Sequence, residues 1–216
     1  RDRIGIGPSS SHTAGPMKAA ALFLQHLPLF QVNRVRVDLY GSLGLTGKGH
    51  GSDKAVLLGL EGEQPETVEI DSILFRLQQI EAQQLLQLNQ QHPISFHKKQ
   101  DLIFHRKYNL PPHENGLRCQ AWDVDGQLLV ERTYYSIGGG FVLEGKGDTL
   151  EVVEDQTELP FPFKKASELL EICWQQQCSI SQIVLANEQV WHSTEEIYRR
   201  LLEIWKVMQE LSLIHI

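Results

Sequence analysis

A glycine- and hydroxyl-rich stretch near the start of the chain runs directly into an apolar helical pattern. Residues 5–17 read GIGPSSSHTAGPM, and residues 19–24 are all alanine, leucine or phenylalanine. Pro16 suits the first turn of a helix, because the N–H group that proline lacks would have no partner there. We predict a helix over residues 15–27. The loop before it could hold a carboxylate, because the N–H groups at a helix N-terminus are unpaired and the helix dipole places partial positive charge there. The alternative is an ordinary serine-rich helix cap with a surface histidine.

A second glycine-rich stretch follows a predicted strand. Residues 34–40 alternate polar and apolar side chains, as a strand with one buried face does. They lead into residues 41–51, after which Ser52 is predicted to cap a helix over residues 53–60. Two helix N-termini would then each carry a polar loop with a histidine, His12 in one and His50 in the other. Because glycine allows close approach of the backbone to a ligand, we expect the two loops to form one pocket.

The next part of the chain contains one predicted helix and several short strands. Apolar residues recur at helical spacing from Ile70 through Leu85 and Leu88, which predicts a helix capped by Asp71 or Ser72 with a solvated glutamine face. Strand-like runs follow at residues 94–96, 102–105, 117–122, 127–135 and 141–143. This order predicts an α+β fold, with an N-terminal mixed or antiparallel sheet and packed helices, rather than a doubly wound nucleotide-binding fold.

Glycine-containing turns separate the later strands. Asp125-Gly126 is typical of a tight hairpin turn, and Asn115-Gly116 marks another turn. Glycines 138–140 stand between two strands. Because a strand and not a helix follows them, we interpret them as a turn or bulge rather than as a dinucleotide-binding loop.

The last quarter of the chain is predicted to be helical. A linker over residues 146–163 separates the first domain, residues 1–145, from three helical patterns at residues 166–177, 179–191 and 194–209. Their apolar stripes need a partner larger than this chain offers, so residues 164–210 are interpreted as the first helices of an all-α domain. Residues 211–216 are interpreted as a non-native tail and excluded from the fold.

Composition excludes several classes of partner. With a formal charge of −7 and no basic cluster, the chain is not expected to bind nucleic acid. No run approaches the roughly 18 apolar residues of a membrane span, and a soluble, cytoplasmic protein without a membrane partner is expected. The three cysteines are too few for a secreted disulfide framework.

Five stretches, in this order, resemble the iron–sulfur L-serine dehydratases, also called L-serine ammonia-lyases. They are residues 5–17, 40–53, 112–116, 134–141 and 186–188. The resemblance implies that the chain is the β domain of such an enzyme together with the start of the cluster-bearing α domain. It implies conversion of L-serine to pyruvate and ammonia, with a [4Fe-4S] cluster as Lewis acid and no pyridoxal phosphate.

The resemblance also implies partners that this chain lacks. The cluster ligands are expected beyond it, in an α domain that is either fused or a separate chain, and a homodimer is expected. No metal ligand is expected within the chain itself. Cys173 and Cys178 are interpreted as ordinary thiols of a helix. The His113-Glu114-Asn115 turn is equally compatible with a structural role and with metal or acid–base chemistry.

Both glycine-rich stretches supply candidate site residues. The substrate-binding candidates, implied by the resemblance, are Ser9, Ser10, Ser11, Thr13 and Thr46. The catalytic candidates are His50, Lys48 and His12, and the α-proton base is assigned to His50. His12 would be kept protonated by a bound carboxylate, whereas Lys48 would need a large downward shift of its pKa to act as a base.

Two other classes of function are compatible with the same residues. One is a regulatory module that binds an amino acid such as L-serine without catalysis. The other is a non-catalytic β subunit or dimerisation domain.

Overall fold

The computed structural model describes residues 9–146, 149–151 and 157–213. These residues form two compact units, one ending at residue 151 and the other beginning at residue 157. The glycines of the first motif that precede Ser9 lie outside the described residues. In the part of the chain that is described, no helix is long and apolar enough to cross a membrane.

A six-stranded mixed sheet forms the centre of the first unit. Its strands are β1 (Arg34–Tyr40), β4 (Leu102–His105), β5 (Gly116–Trp122), β6 (Leu128–Gly138), β7 (Phe141–Lys146) and β8 (Thr149–Glu151), and a separate pair is formed by β2 (Leu85–Leu88) and β3 (His92–Ser95). The order across the sheet is β4-β1-β5-β6-β7-β8, with β1 and β4 parallel and all other neighbours antiparallel. The predicted α+β class is therefore confirmed.

The first unit also contains helices, two of which precede β1 in the chain while the others follow it. They are a π-helical turn (Ser10–Ala14), α1 (Gly15–Leu24), α2 (Gly41–Thr46), α3 (Ser52–Leu60), α4 (Ile70–Gln83) and α5 (Lys98–Asp101). The alternation predicted for β1 is confirmed, since Val35, Val37 and Leu39 are buried in one core cluster with α1 and α3. Helices α1 and α3 come very close at Gly59, where a Cβ atom would stand 2.2 Å from the carbonyl oxygen of Met17.

Both glycine-rich stretches are more helical than the sequence predicted. Residues 10–14 form the π-helical turn that continues into α1, because the N–H of Gly15 reaches back to the carbonyl of Ser10. Residues 41–46 form α2 instead of a loop. The expectation that Ser52 caps α3 by its side chain is wrong, because Gly51, with a left-handed φ of 76°, takes the capping position.

The long helical pattern from residue 70 is also shorter than predicted. Gln84 adopts a left-handed φ of 53° and ends α4, so Leu85 and Leu88 belong to β2 and not to the apolar stripe of the helix. Neither Asp71 nor Ser72 caps α4, and the Ser72 hydroxyl instead donates to the carbonyl of Glu69. The glutamine side chains of α4 are exposed, as predicted.

The predicted turns between the later strands are confirmed. Gly126 has a φ of 77° in the connection between β5 and β6. Glycines 138–140 all have positive φ and form the β6–β7 turn, and the strand register shifts between Ser136 and Gly138. Strands β7 and β8 reach into the stretch that the sequence assigned to the linker.

The described residues of the second unit form three helices, α6 (Ala166–Gln176), α7 (Ile180–Glu188) and α8 (Thr194–Leu213). Ser179 forms a capping box with Gln182 at the start of α7, and the Ser193 hydroxyl accepts a hydrogen bond from the N–H of Glu196 in α8. Large apolar side chains remain exposed on all three helices, including Leu170, Trp174, Val184, Leu202, Trp205 and Met208. That these helices begin a larger helical domain stays a prediction, as do the domain boundaries.

Asn187 of α7 is hydrogen-bonded to the segment that precedes α6. Its buried side chain accepts a hydrogen bond from the N–H of Phe161 (2.9 Å) and donates one to the carbonyl of the same residue (2.8 Å). We expect Asn187→Ala to lower the free energy of unfolding of this unit by about 1–2 kcal/mol, because the N–H and the carbonyl of Phe161 both lose their hydrogen-bond partner. Hydrogen exchange of Phe161 N–H should accelerate accordingly. Gln189→Ala, at an exposed amide, is the control, and equal exchange in both variants would contradict this role.

Candidate functional site

His12 is the centre of a cluster of hydroxyl groups. Its Nε2 atom lies 3.1 Å from the Oγ of Ser42 and 3.2 Å from the Oγ1 of Thr46. On the other side of the ring, Nδ1 lies 2.9 Å from the Oγ of Ser11 and 3.4 Å from the Oγ of Ser9. Hydroxyl groups can donate or accept, so this surrounding is compatible with either neutral tautomer of the imidazole.

Backbone contacts fix the turn that carries His12. The Ser52 hydroxyl at the start of α3 donates to the carbonyl of His12 at 2.5 Å. The N–H groups of His12 and Thr13 both donate to the carbonyl of Ser9, and so does the Thr13 hydroxyl. The prediction of unpaired N–H groups in this stretch is therefore wrong for His12 and Thr13, because the π-helical turn uses them internally.

Helix α2 brings the second set of hydroxyls to the ring. Its residues Ser42 and Thr46 are four apart and therefore share one helix face. The N–H of Gly41 donates to the carbonyl of Tyr108, and the N–H of Ser42 donates to the carbonyl of Glu114, both at 2.8 Å. Gly41 has a φ of 59°, and a Cβ atom there would stand 2.0 Å from the Glu114 carbonyl oxygen. Only glycine suits this position, which sets where α2 begins.

The two histidines predicted to converge do lie together. The ring centroids of His12 and His50 are 5.0 Å apart, with the planes tilted by 56°. His50 is exposed on the turn that follows α2. Lys48 is exposed on the same turn, where its carbonyl accepts a hydrogen bond from the N–H of Gly51, and its ammonium group pairs with none of the described residues.

The surroundings of His12 lower the pKa of its imidazole below the usual 6.5. Burial is the largest cause and the neighbouring His50 the second, while a hydrogen bond at Ser42 and the carboxylate of Glu114 act in the opposite direction. A lowered pKa leaves the ring mostly neutral at neutral pH. A neutral imidazole can accept a proton, which is what a general base requires.

Two buried polar residues beside this cluster were not among the candidate catalytic or substrate-binding residues. The Oγ of Ser136 and the Oδ1 of Asn115 are buried and have no hydrogen-bond partner among the described residues. Ser136 faces Gly15, where a Cβ atom would stand 1.9 Å from its Oγ. Buried polar atoms are normally paired, so such atoms beside a candidate site are available to a ligand. Ser42 was also missed, and in each case the connection depends on distant parts of the chain.

The turn between β6 and β7 also reaches this region. The N–H of Gly139 donates to the Oγ of Ser10 at 3.1 Å. Ser10 therefore points to the turn, whereas Ser9 and Ser11 point to the imidazole. Of the predicted substrate-binding residues, Ser9, Ser11 and Thr46 surround His12, and Thr13 is buried against backbone.

The described residues do not fit an iron–sulfur cluster. No group of three or more histidine, cysteine, aspartate or glutamate side chains among them could hold a metal ion. Cys119 is fully buried in β5, where desolvation raises the pKa of its thiol and disfavours the thiolate that ligates metal. Cys173 and Cys178 are free thiols of the second unit.

Comparison with known proteins gives one consistent family. Residues 3–147 match the family model described as serine dehydratase beta chain. The chain is 46% identical over 211 residues to the L-serine dehydratase of Streptomyces coelicolor, covering 95% of this chain and 46% of that protein. It is 42% identical to L-serine dehydratase 1 of Escherichia coli K12 and 42% identical to the L-serine dehydratase of Helicobacter pylori, covering 96% and 94% of this chain and 46% of each relative.

The chain thus spans slightly less than half of the length of these relatives. The matched segment contains the whole His12 cluster and both histidine-bearing stretches, together with Asn115 and Ser136. With a family model over most of the chain and close relatives along nearly all of it, this chain belongs to the serine dehydratase beta chain family.

Proposed function

We propose that this chain is the β-domain part of an L-serine ammonia-lyase, which converts L-serine to pyruvate and ammonia. The observation that carries the proposal is the His12 imidazole, placed between serine and threonine hydroxyls and beside the His50 ring. The relatives are named L-serine dehydratase, and this name agrees with the chemistry that His12 and the surrounding hydroxyl groups could perform.

The reaction needs a base at the α carbon and groups that hold the substrate. In the proposed step, His12 accepts the Cα proton, the electron pair forms the Cα–Cβ double bond, and the β-hydroxyl leaves and is protonated to water. The aminoacrylate product tautomerises to an imine, whose hydrolysis gives pyruvate and ammonia. The hydroxyls of Ser9, Ser11 and Thr46 are placed to contact the carboxylate and amine, with Ser10 and Thr13 as further candidates.

The structure favours a different base from the one assigned by sequence. His50 was assigned because a carboxylate beside His12 would keep His12 protonated, but the pKa of His12 is lowered, and two of its neighbours are hydroxyls at hydrogen-bond distance of Nε2. We therefore propose His12 as the base, and we propose that His50 tunes the pKa of His12 by its charge. Lys48 remains a candidate for pairing with the substrate carboxylate.

The cofactor proposal concerns the half of the enzyme that this chain does not represent. Because the described residues offer no ligand set, we propose that a [4Fe-4S] cluster is held by an α domain, fused or separate. When bound, the cluster would supply a Lewis acid for the departing hydroxyl. No pyridoxal phosphate takes part in the proposed reaction. A homodimer and a cytoplasmic location stay predictions.

Activity and cofactor content together test the proposed function. Expressed alone and treated anaerobically with iron and sulfide, this chain should show no iron–sulfur absorbance and form no pyruvate from L-serine. The complete protein that contains this chain should show iron–sulfur absorbance and should form pyruvate from L-serine. Binding of L-serine to the complete protein without turnover would favour a regulatory module instead, and a brown, active isolated chain would overturn the assignment of the cluster ligands.

The serine side chains should affect substrate binding more than turnover. We expect Ser10→Ala and Ser11→Ala in the complete enzyme mainly to raise KM, because each removes a hydrogen bond to a charged group. The loss should be about 1.5–3 kcal/mol each, or roughly 10- to 150-fold. Ser72→Ala, at a hydroxyl of α4 outside the cluster, is the control. An unchanged KM in both variants would return these serines to a purely structural role.

A further inference from the structure

The first unit contains a cavity away from the His12 cluster. It has a volume of about 430 Å³ and is lined by residues of α3, α4 and the segment from Phe96 to Gln100. That volume falls within the roughly 300–1,000 Å³ typical of small-molecule sites. None of its lining residues belongs to the hydroxyl cluster around His12.

The inner surface of this cavity is apolar. Leu57, Ile80 and Phe96 line it but are only 2%, 6% and 2% exposed, so the more accessible apolar side chains of the cavity are Leu74 and Leu77. Leu77 lies beside them, and Leu74 is 66% exposed at the entrance. A ligand with an apolar body would cover this surface and remove it from water.

The rim of the cavity is positively charged although the whole chain carries a net charge of −7. Lys54, Lys98 and Lys99 line it, against one carboxylate, Glu81. Lys98 is paired with the buried Asp53 at 2.7 Å. Lys54 and Lys99 have no acidic partner among the described residues, so their charges remain available to an anion.

From this combination we propose that the cavity binds a small organic carboxylate with an unbranched apolar chain. The apolar chain lies along Leu74 and Leu77, and the carboxylate lies at the rim between Lys54 and Lys99. Simple inorganic anions are excluded from this role because they would leave the apolar surface uncovered. The proposal goes beyond the proposed lyase activity and does not depend on it.

Binding of octanoate to this chain, followed by isothermal titration calorimetry, tests the proposal. Octanoate should bind at one site, whereas acetate, inorganic phosphate and octylammonium should bind at least tenfold more weakly. The double variant Lys54→Gln, Lys99→Gln should weaken octanoate binding about three- to tenfold, because two rim charges are lost. Lys107→Gln removes an exposed lysine outside the cavity and should leave the affinity unchanged.

A second variant tests the apolar part of the site without removing charge. Leu74→Trp places a large ring at the entrance and should abolish octanoate binding while far-ultraviolet circular dichroism stays unchanged. Equal binding of octanoate and octylammonium would overturn the proposal, as would an affinity insensitive to both variants. If octanoate fails to bind and Leu74→Trp instead dissociates a dimer in sedimentation, the surface is a protein interface and the proposal is wrong.

Discussion

Replacing His12 by asparagine in the complete enzyme should lower kcat by about 10²- to 10⁴-fold, the loss typical of a missing general base. His12 is the imidazole surrounded by four hydroxyl groups, and the lowered pKa keeps it able to accept a proton. The absorbance of any bound cluster should stay unchanged, because His12 contacts no ligand of it in this chain. His26→Asn, at an exposed histidine after α1, is the matched control.

The pH dependence separates the two histidines. Because the pKa of His12 is below 6.5, its neutral form is present at neutral pH and is lost only as the pH falls through that lowered value. The acid limb of kcat/KM should therefore lie below pH 6.5 in the parent enzyme. In His50→Ala the limb should move upward, since one cause of the lowered pKa is removed. Loss of kcat in His50→Ala with near-normal kcat in His12→Asn would reverse the roles.

Gly59→Ala should destabilise the first unit, although helix propensity alone predicts a gain of about 1 kcal/mol. The added Cβ atom would stand 2.2 Å from the Met17 carbonyl oxygen and 2.8 Å from the Cβ of Ala20. Neither neighbour is the end of a flexible side chain, so α1 and α3 must move apart within a closely packed core. We expect a net loss of about 2 kcal/mol, or roughly 4–8 °C in the melting temperature of this unit.

The sign of this change distinguishes packing from propensity. Gly49→Ala is the matched control, because a Cβ atom there meets only the Thr46 carbonyl oxygen at 3.4 Å and the residue has no positive φ. Calorimetric unfolding of both variants should give a lowered transition for the first and a nearly unchanged one for the second. A raised melting temperature for Gly59→Ala would show that the two helices can separate without cost.

The features predicted correctly from sequence are those determined by neighbouring residues. The alternation over residues 34–40 places β1, because a strand with one buried face needs no information from elsewhere. The hairpin turn at Gly126 is equally local, since turn chemistry extends over about four residues. The α+β class follows from the order of these elements.

The features that the sequence did not reveal depend on contacts between distant residues. The end of α4 at Gln84 requires the β2–β3 pair that draws Leu86 and Leu88 into the core, and helical periodicity continues through that point. The π-helical turn is tied to Ser52 through the His12 carbonyl. Neither connection has a signature within a short window of sequence.

The candidate site shows the same division. The glycine-rich patterns predicted that the stretches carrying His12 and His50 converge, and the two rings do lie together. Each stretch on its own indicates close approach of the backbone to a neighbour. These patterns could not predict which hydroxyl groups surround the His12 ring, because that depends on α2. They also could not predict the lowered pKa of His12, because that depends on burial. Asn115 and Ser136 lie far along the chain, and their unpaired buried atoms become visible only in the folded structure.

The pKa of the His12 ring, measured by NMR titration of this chain with labelled histidine, tests the central claim most directly. The account predicts a midpoint below 6.5, an upward shift of that midpoint in His50→Ala, and a change in the His12 resonances on addition of L-serine but not of D-serine. A midpoint above 6.5, together with His12 resonances that do not respond to L-serine, would contradict the assignment of His12 as the base of a serine-binding site.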